Sequence, residues 1–136
     1  MSRWIVDGMN VIGSRPTGWW RDRPGAMRLL VEELEAFAER CGDEVTVVFD
    51  GKPFELESGS VGVMFASRRG RNAADDDIAA LVEEITGARG HRPLAGPDAE
   101  PGELSVVTSD ADLAGRVRAA GATVVGAGQF RHRLDG

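Results

Sequence analysis

Short runs of apolar, β-branched residues alternate with helical patterns along the whole chain, and this alternation limits the fold more than any other feature. Arg3–Asp7, Glu44–Phe49, 61–65, 104–108 and Thr123–Val125 read as strands. Residues 24–40 read as a helix, with Met27, Leu30, Val31, Leu34, Phe37 and Cys41 at helical spacing. Pro24 suits its first turn and Gly42 its stop. Cys41 is expected as a small buried side chain at the helix end. Residues 74–86 form a second helical pattern, with Ile78, Leu81, Val82 and Ile85 on one face. Residues 110–120 form a third, with Leu113 and Val117 inward. Strands alternating with helices predict an α/β domain of three layers, a central parallel sheet flanked by helices.

Between these elements lie a turn-rich segment over 8–25, a basic loop over 67–72, a Gly/Pro-rich loop near 87–103 read as flexible, and a short tail from 126. With 136 residues, no internal repeat and no linker, the expectation is a single domain over 1–136. Hydrophobic residues make up 42% and charged residues 28%, enough for a packed core. A single cysteine forbids an internal disulfide and suits a reducing compartment. The opening residues lack the apolar stretch of a signal peptide, and no apolar run approaches the ~20 residues of a membrane span. A cytoplasmic location without membrane contact is the expectation. A net charge of -6 argues against a partner held by global positive charge. It leaves nucleic acid open, because cations bound by carboxylates reverse the sign locally.

Three strand candidates end alike: Trp4-Ile5-Val6 runs into Asp7, Val47-Val48-Phe49 into Asp50, and Val106-Val107-Thr108-Ser109 into Asp110. Ligands of open α/β sheets bind outside the carboxyl ends of the strands, where strand order reverses. Three aspartates at three such ends can therefore converge. Asp75, one turn before Ile78, adds a fourth, and Asn10 adds an amide three residues past Asp7. Hard oxygen donors suit Mg²⁺ or Mn²⁺ rather than zinc, and such a cation can activate water against a phosphodiester. A nucleophilic triad lacks a base: the only histidines, His91 and His132, fall in the long loop and the tail.

Each piece also has a structural reading. An Asp-Gly after a strand is commonly a turn. Asp110 can favour a helix start, Ser109 with Asp112 resembles a capping box, and Asp75, Asp76 and Asp77 can form a solvated acidic turn. Asp50 starts no helix of its own. Jointly these readings weaken, since several carboxylates at one sheet edge repel one another without cations. Arg68, Arg69 and Arg71 read either as phosphate-binding residues or as an ordinary exposed loop. Trp19 and Trp20 read as a lid packed on the core or as stacking platforms for bases.

The segments Ile5-Val6-Asp7-Gly8-Met9-Asn10, Val47-Val48-Phe49-Asp50-Gly51, Val63-Met64-Phe65-Ala66-Ser67, Ala74-Asp75-Asp76-Asp77-Ile78 and Val106-Val107-Thr108-Ser109-Asp110 resemble, in order, motifs of the NYN domain family and its YacP-like branch. The resemblance covers residues 3 to 125. It implies a PIN-like fold and a metal-dependent endoribonuclease. It puts the family's acidic positions at Asp7, Asp50, Asp75 and Asp110, with Asn10 beside them. Met9 stands where the motif often has an aromatic residue, and Asp112 where it has glutamate. The branch has been linked to ribosome-associated mRNA cleavage, so single-stranded RNA, mRNA and the ribosome are the partners the resemblance suggests. Two rivals stand beside it. One is a non-catalytic RNA-binding or adaptor domain of the same fold. The other is a small phosphoryl-transfer enzyme with Asp7 as nucleophile, which Met9 disfavours, because that pattern has a second aspartate two residues on.

Overall fold

The computed structural model describes residues 3–14, 18–51, 53–66, 73–86 and 104–135. Five parallel strands form one sheet in the order β3-β2-β1-β4-β5: β1 Arg3–Asp7, β2 Glu44–Phe49, β3 Gly62–Phe65, β4 Leu104–Val107 and β5 Thr123–Val125. The chain builds outward from β1 to β3, then crosses back and builds outward again through β4 and β5. Strand order therefore reverses between β1 and β4.

Alternation along the central strands feeds two apolar layers. Trp4, Val6, Val45, Val47, Phe49, Val107 and Val125 face one layer. Ile5, Val48, Leu104 and Val106 face the other. Helices α1 (Gly8–Gly13), α2 (Arg23–Cys41) and α5 (Ala127–Asp135) cover the first face. Helices α3 (Ala73–Thr86) and α4 (Ala111–Ala119) cover the second. The result is the three-layer α/β arrangement that the alternation predicts. Edge strand β3 is only partly buried, and its start is held from α2: Glu35 accepts hydrogen bonds from the backbone of Gly59, Ser60 and Val61.

Local signals set the ends of α2. Asp22 caps it by accepting from Gly25 N at 3.0 Å, and Gly42 ends it in the left-handed region at φ 71°. Four expectations need correction. Residues 8–13 form a helix, not a turn, because Val11 and Ile12 find an apolar layer to bury in. Residues 127–135 are not a tail: α5 buries Ala127, Phe130 and Leu134, and Phe130 packs on Trp4 and Phe37. Cys41 is exposed, lying off the buried stripe at the last residue of α2. Trp20, in a single 3₁₀ turn over Trp19–Arg21, is 57% exposed, which does not fit a lid packed on the core. The loops around 67–72 and 87–103, with Arg68, Arg69, Arg71 and His91, lie outside the described residues. No described helix is long and apolar enough to cross a membrane.

Candidate metal centre

Asp7 ends β1, while Asp50 and Asp110 follow β2 and β4, so the three aspartates sit at the ends of three adjacent strands, with β1 between the other two. Parallel register explains the approach. Val6 pairs with Val107, so one residue further Asp7 lies beside Thr108. Asp7 pairs with Val48, two residues before Asp50. By alternation Asp7 follows Ile5 onto the side of the sheet covered by α3 and α4, and the first turn of α3 brings Asp75 there.

Asp7, Asn10, Asp50, Asp75 and Asp110 line one cleft of about 510 Å³, together with Met9, Gly13, Ser14, Ser109 and Ala127. The three strand-end aspartates, together with Asp75 from a helix start and Asn10 past β1, are thus brought together. Asp76 is turned toward α4 instead, where it pairs with Arg116 at 2.8 Å. Asp112 is exposed in the first turn of α4, and His132 is exposed on α5.

Asp7 is only 2% exposed. Its chain turns sharply from β1 into α1, and Gly8 is required there: a Cβ would sit 2.5 Å from ring atoms of buried Phe49. Asp7 occupies the N-cap position of α1 but makes no side-chain cap bond. Its Oδ2 instead accepts from Asn10 Nδ2 at 2.7 Å and Thr108 Oγ1 at 3.0 Å. Thr108 Oγ1 in turn accepts from Asp110 N at 3.1 Å, and Asn10 Oδ1 accepts from Ser109 N at 3.2 Å. Asp110 caps α4 by accepting from Leu113 N at 2.9 Å. The cap is therefore Asp110, not the Ser109–Asp112 box that the sequence suggests; Ser109 Oγ accepts from Ala127 N instead. Asp50 also serves a helix. Its Oδ1 accepts from Ala74 N at 3.2 Å, so it holds the start of α3 across the cleft.

A pattern emerges from these bonds. Asp7, Asp50 and Asp110 each commit one carboxylate oxygen to the protein frame. The second oxygen of each takes no hydrogen bond among the described residues. Such an arrangement fixes each side chain while leaving an oxygen for a ligand.

The carboxylates also sense one another. Burial pushes the Asp7 carboxyl from 3.8 up to about 6. Hydrogen bonds from Thr108 and Asn10 oppose the rise, and the charges of Asp75 and Asp50 add to it. Asp75 is raised as well, by burial first and then by Asp110 and Asp50, with Arg116 opposing. As placed, no three acidic, histidine or cysteine side chains among the described residues form a group able to hold an ion by themselves.

Thr108 and Ser109, which the pattern of aspartates at strand ends does not single out, also bond to this cluster. The signal is present in the sequence: Thr108 shares the parity of Val106 and immediately follows β4, the strand next to β1.

The family described as the YacP-like NYN domain matches residues 4–136. Two crystal structures of Rae1 (YacP) from Bacillus subtilis share the fold. A tryptophan-to-leucine mutant superposes with TM-score 0.76 at 22% identity, covering 99% of this chain and 76% of that one. The other crystal structure gives TM-score 0.75 at 22% identity, covering 99% of this chain and 74% of that one. No curated protein matches in sequence.

Proposed function

The chain belongs to the YacP-like NYN domain family, a group of PIN-like nuclease domains, and from that premise we propose that it hydrolyses RNA phosphodiester bonds in the aspartate cleft with Mg²⁺ or Mn²⁺. The observation that carries the reading is the gathering of four carboxylates in one cleft where strand order reverses. The donor set fits a hard divalent cation: the described lining offers carboxylates, an amide and hydroxyls, with neither thiolate nor imidazole. A cation of the Mg²⁺ type keeps several waters and takes one or two carboxylates plus substrate phosphate oxygens. That habit suits side chains that share a cleft without closing around a single ion.

When bound, the cation supplies Lewis acidity to the phosphoryl group and makes a bound water nucleophilic. The protein's own contribution is positioning. Asn10 and Thr108 hold Asp7 through Oδ2 and leave Oδ1 for the cation. Asp50 and Asp110 are held the same way, each through Oδ1. Asp75, from the first turn of α3, would complete the ligand set directly or through water. Arg68, Arg69 and Arg71 would hold phosphates of the strand; that role rests on their place in sequence between β3 and α3. Single-stranded RNA is the substrate class we favour, with mRNA at the ribosome as its extension to the branch, and the cytoplasm as the place of action.

The test is incubation of the purified protein with single-stranded RNA, with Mn²⁺ or with chelator. Attack by water rather than by the ribose 2′-hydroxyl leaves no cyclic phosphate. The expected result is Mn²⁺-dependent cleavage to products without cyclic ends. Cleavage in chelator to cyclic phosphates, or intact RNA with either cation, would contradict the proposal.

A further inference from the structure

The cleft wall is strongly acidic, and an RNA strand entering it needs cations at its rim. Most described arginines are already occupied. Arg3, Arg116 and Arg131 pair with Glu44, Asp76 and Glu33. Arg40 donates to Arg133 O, while Arg28 and Arg133 lie over the rings of Phe54 and Trp4. Arg21, Arg23 and Arg118 make no ion pair or hydrogen bond among the described residues.

Of these three, Arg23 comes near the chain just after cleft residue Asp50. It is the first residue of α2 and is exposed. Gly51, immediately after Asp50, has φ 107°; a Cβ there would lie 4.0 Å from Arg23 Nη2 and near no other heavy atom of the described residues, chain neighbours aside. The guanidinium thus reaches the backbone one residue past one of the four aspartates. A positive charge at the positive end of a helix is unfavourable; the Asp22 carboxylate that caps this end makes no ion pair with Arg23, and the first turn holds no acidic residue. The frame is rigid, however: Asp22 caps the turn and Pro24 restrains it. Exposed Trp20 and Arg21 precede it by a few residues, so the segment combines an aromatic face with two cations, the chemistry that single-stranded nucleic acid recognises.

We infer that Arg23, reaching over Gly51, binds a phosphate of the substrate strand on the β2 side of the aspartate cleft. This rests on the RNA-cleaving reading and adds a described residue to it. The guanidinium fork fits phosphate oxygens bidentately, and its charge offsets repulsion between the strand and the carboxylates.

The test is fluorescence anisotropy of a labelled oligouridylate in Mn²⁺, with Asp7→Asn as the cleavage-silent parent. Adding Arg23→Ala should weaken binding roughly tenfold. It should also lower the slope of log affinity against log salt by about 0.7. Arg23→Lys should keep that slope while recovering only part of the affinity, and Arg118→Ala on α4 should match the parent. Arg23→Ala should melt no lower than the parent, since Arg23 is exposed and makes no ion pair or hydrogen bond among the described residues. Parent-like affinity and slope in Arg23→Ala would overturn the inference and leave the cleavage reading standing. A parent that binds no RNA at any salt would overturn both.

Discussion

Replacing Asp7 by asparagine removes a charge that the folded protein holds at a cost. The Asp7 carboxyl rises from 3.8 to about 6 on folding. At roughly 1.4 kcal/mol for each tenfold change, the ionised side chain then opposes folding by up to about 3 kcal/mol. The native state binds more protons than the unfolded chain in this window, so stability falls as pH rises from about 4 to about 6 and the penalty is complete above that. Asparagine keeps the size and an oxygen able to accept from Asn10 Nδ2 and Thr108 Oγ1. In chelator the variant should therefore be more stable than the wild type by ~1–3 kcal/mol near pH 8, or roughly 3–10 °C in melting temperature. Near pH 4 the difference should vanish. Mn²⁺ should reverse the order, because it stabilises the wild type by mass action and the variant less. Thermal and urea denaturation across this pH range provide the measurement. A variant that is less stable near pH 8 in chelator, or a difference that does not change with pH, would mean that the Asp7 charge does not oppose folding. Asp50→Asn and Asp110→Asn are poorer probes of repulsion. Each also disturbs a helix start, at Ala74 N or Leu113 N, which sets a loss of ~1 kcal/mol against the gain.

Thr108→Val keeps the shape but strips Asp7 of a donor and Asp110 N of its acceptor. It should cost about 1–3 kcal/mol in denaturation and slow cleavage, while Thr108→Ser retains both; a valine variant equal to wild type would remove Thr108 from the site. Gly8→Ala forces a methyl against the buried Phe49 ring. It should destabilise by about 1–3 kcal/mol in urea, and unchanged stability would show that the β1–α1 turn relaxes freely. Glu35→Ala deprives three backbone donors ahead of β3 of their acceptor and should lower stability by ~1–3 kcal/mol; an unchanged melting temperature would show that the β3 edge does not depend on it.

The sheet and its flanking helices were legible because burial imposes a period. Val45, Val47 and Phe49 alternate with Val48, while Met27, Leu30, Val31 and Leu34 recur at helical spacing. The gathering of Asp7, Asp50 and Asp110 was legible because strand ends of a parallel sheet share one edge. What escaped depends on tertiary partners. Residues 8–13 carry two glycines, and only the layer receiving Val11 and Ile12 makes them helical. α5 is too polar to announce itself, and it becomes a helix because Phe130 meets Trp4 and Phe37. Asp50 as a helix cap is invisible in sequence, since its acceptor role joins residues 24 apart. The same holds for Thr108, which reaches Asp7 across 101 residues. Cys41 fits the apolar spacing of α2, yet the helix ends there and leaves it exposed.

Asp7, Asp50, Asp75 and Asp110 are proposed to serve one cation-binding cleft together, directly or through bound water. Direct Mn²⁺ binding tests it, with free Mn²⁺ read by electron paramagnetic resonance for the wild type and for each single Asp→Asn substitution. Exposed Asp112 on α4 serves as the control. Each of the four substitutions should weaken Mn²⁺ binding by at least roughly tenfold, and Asp112→Asn should bind as the wild type does. Wild-type affinity in all five variants would contradict the account.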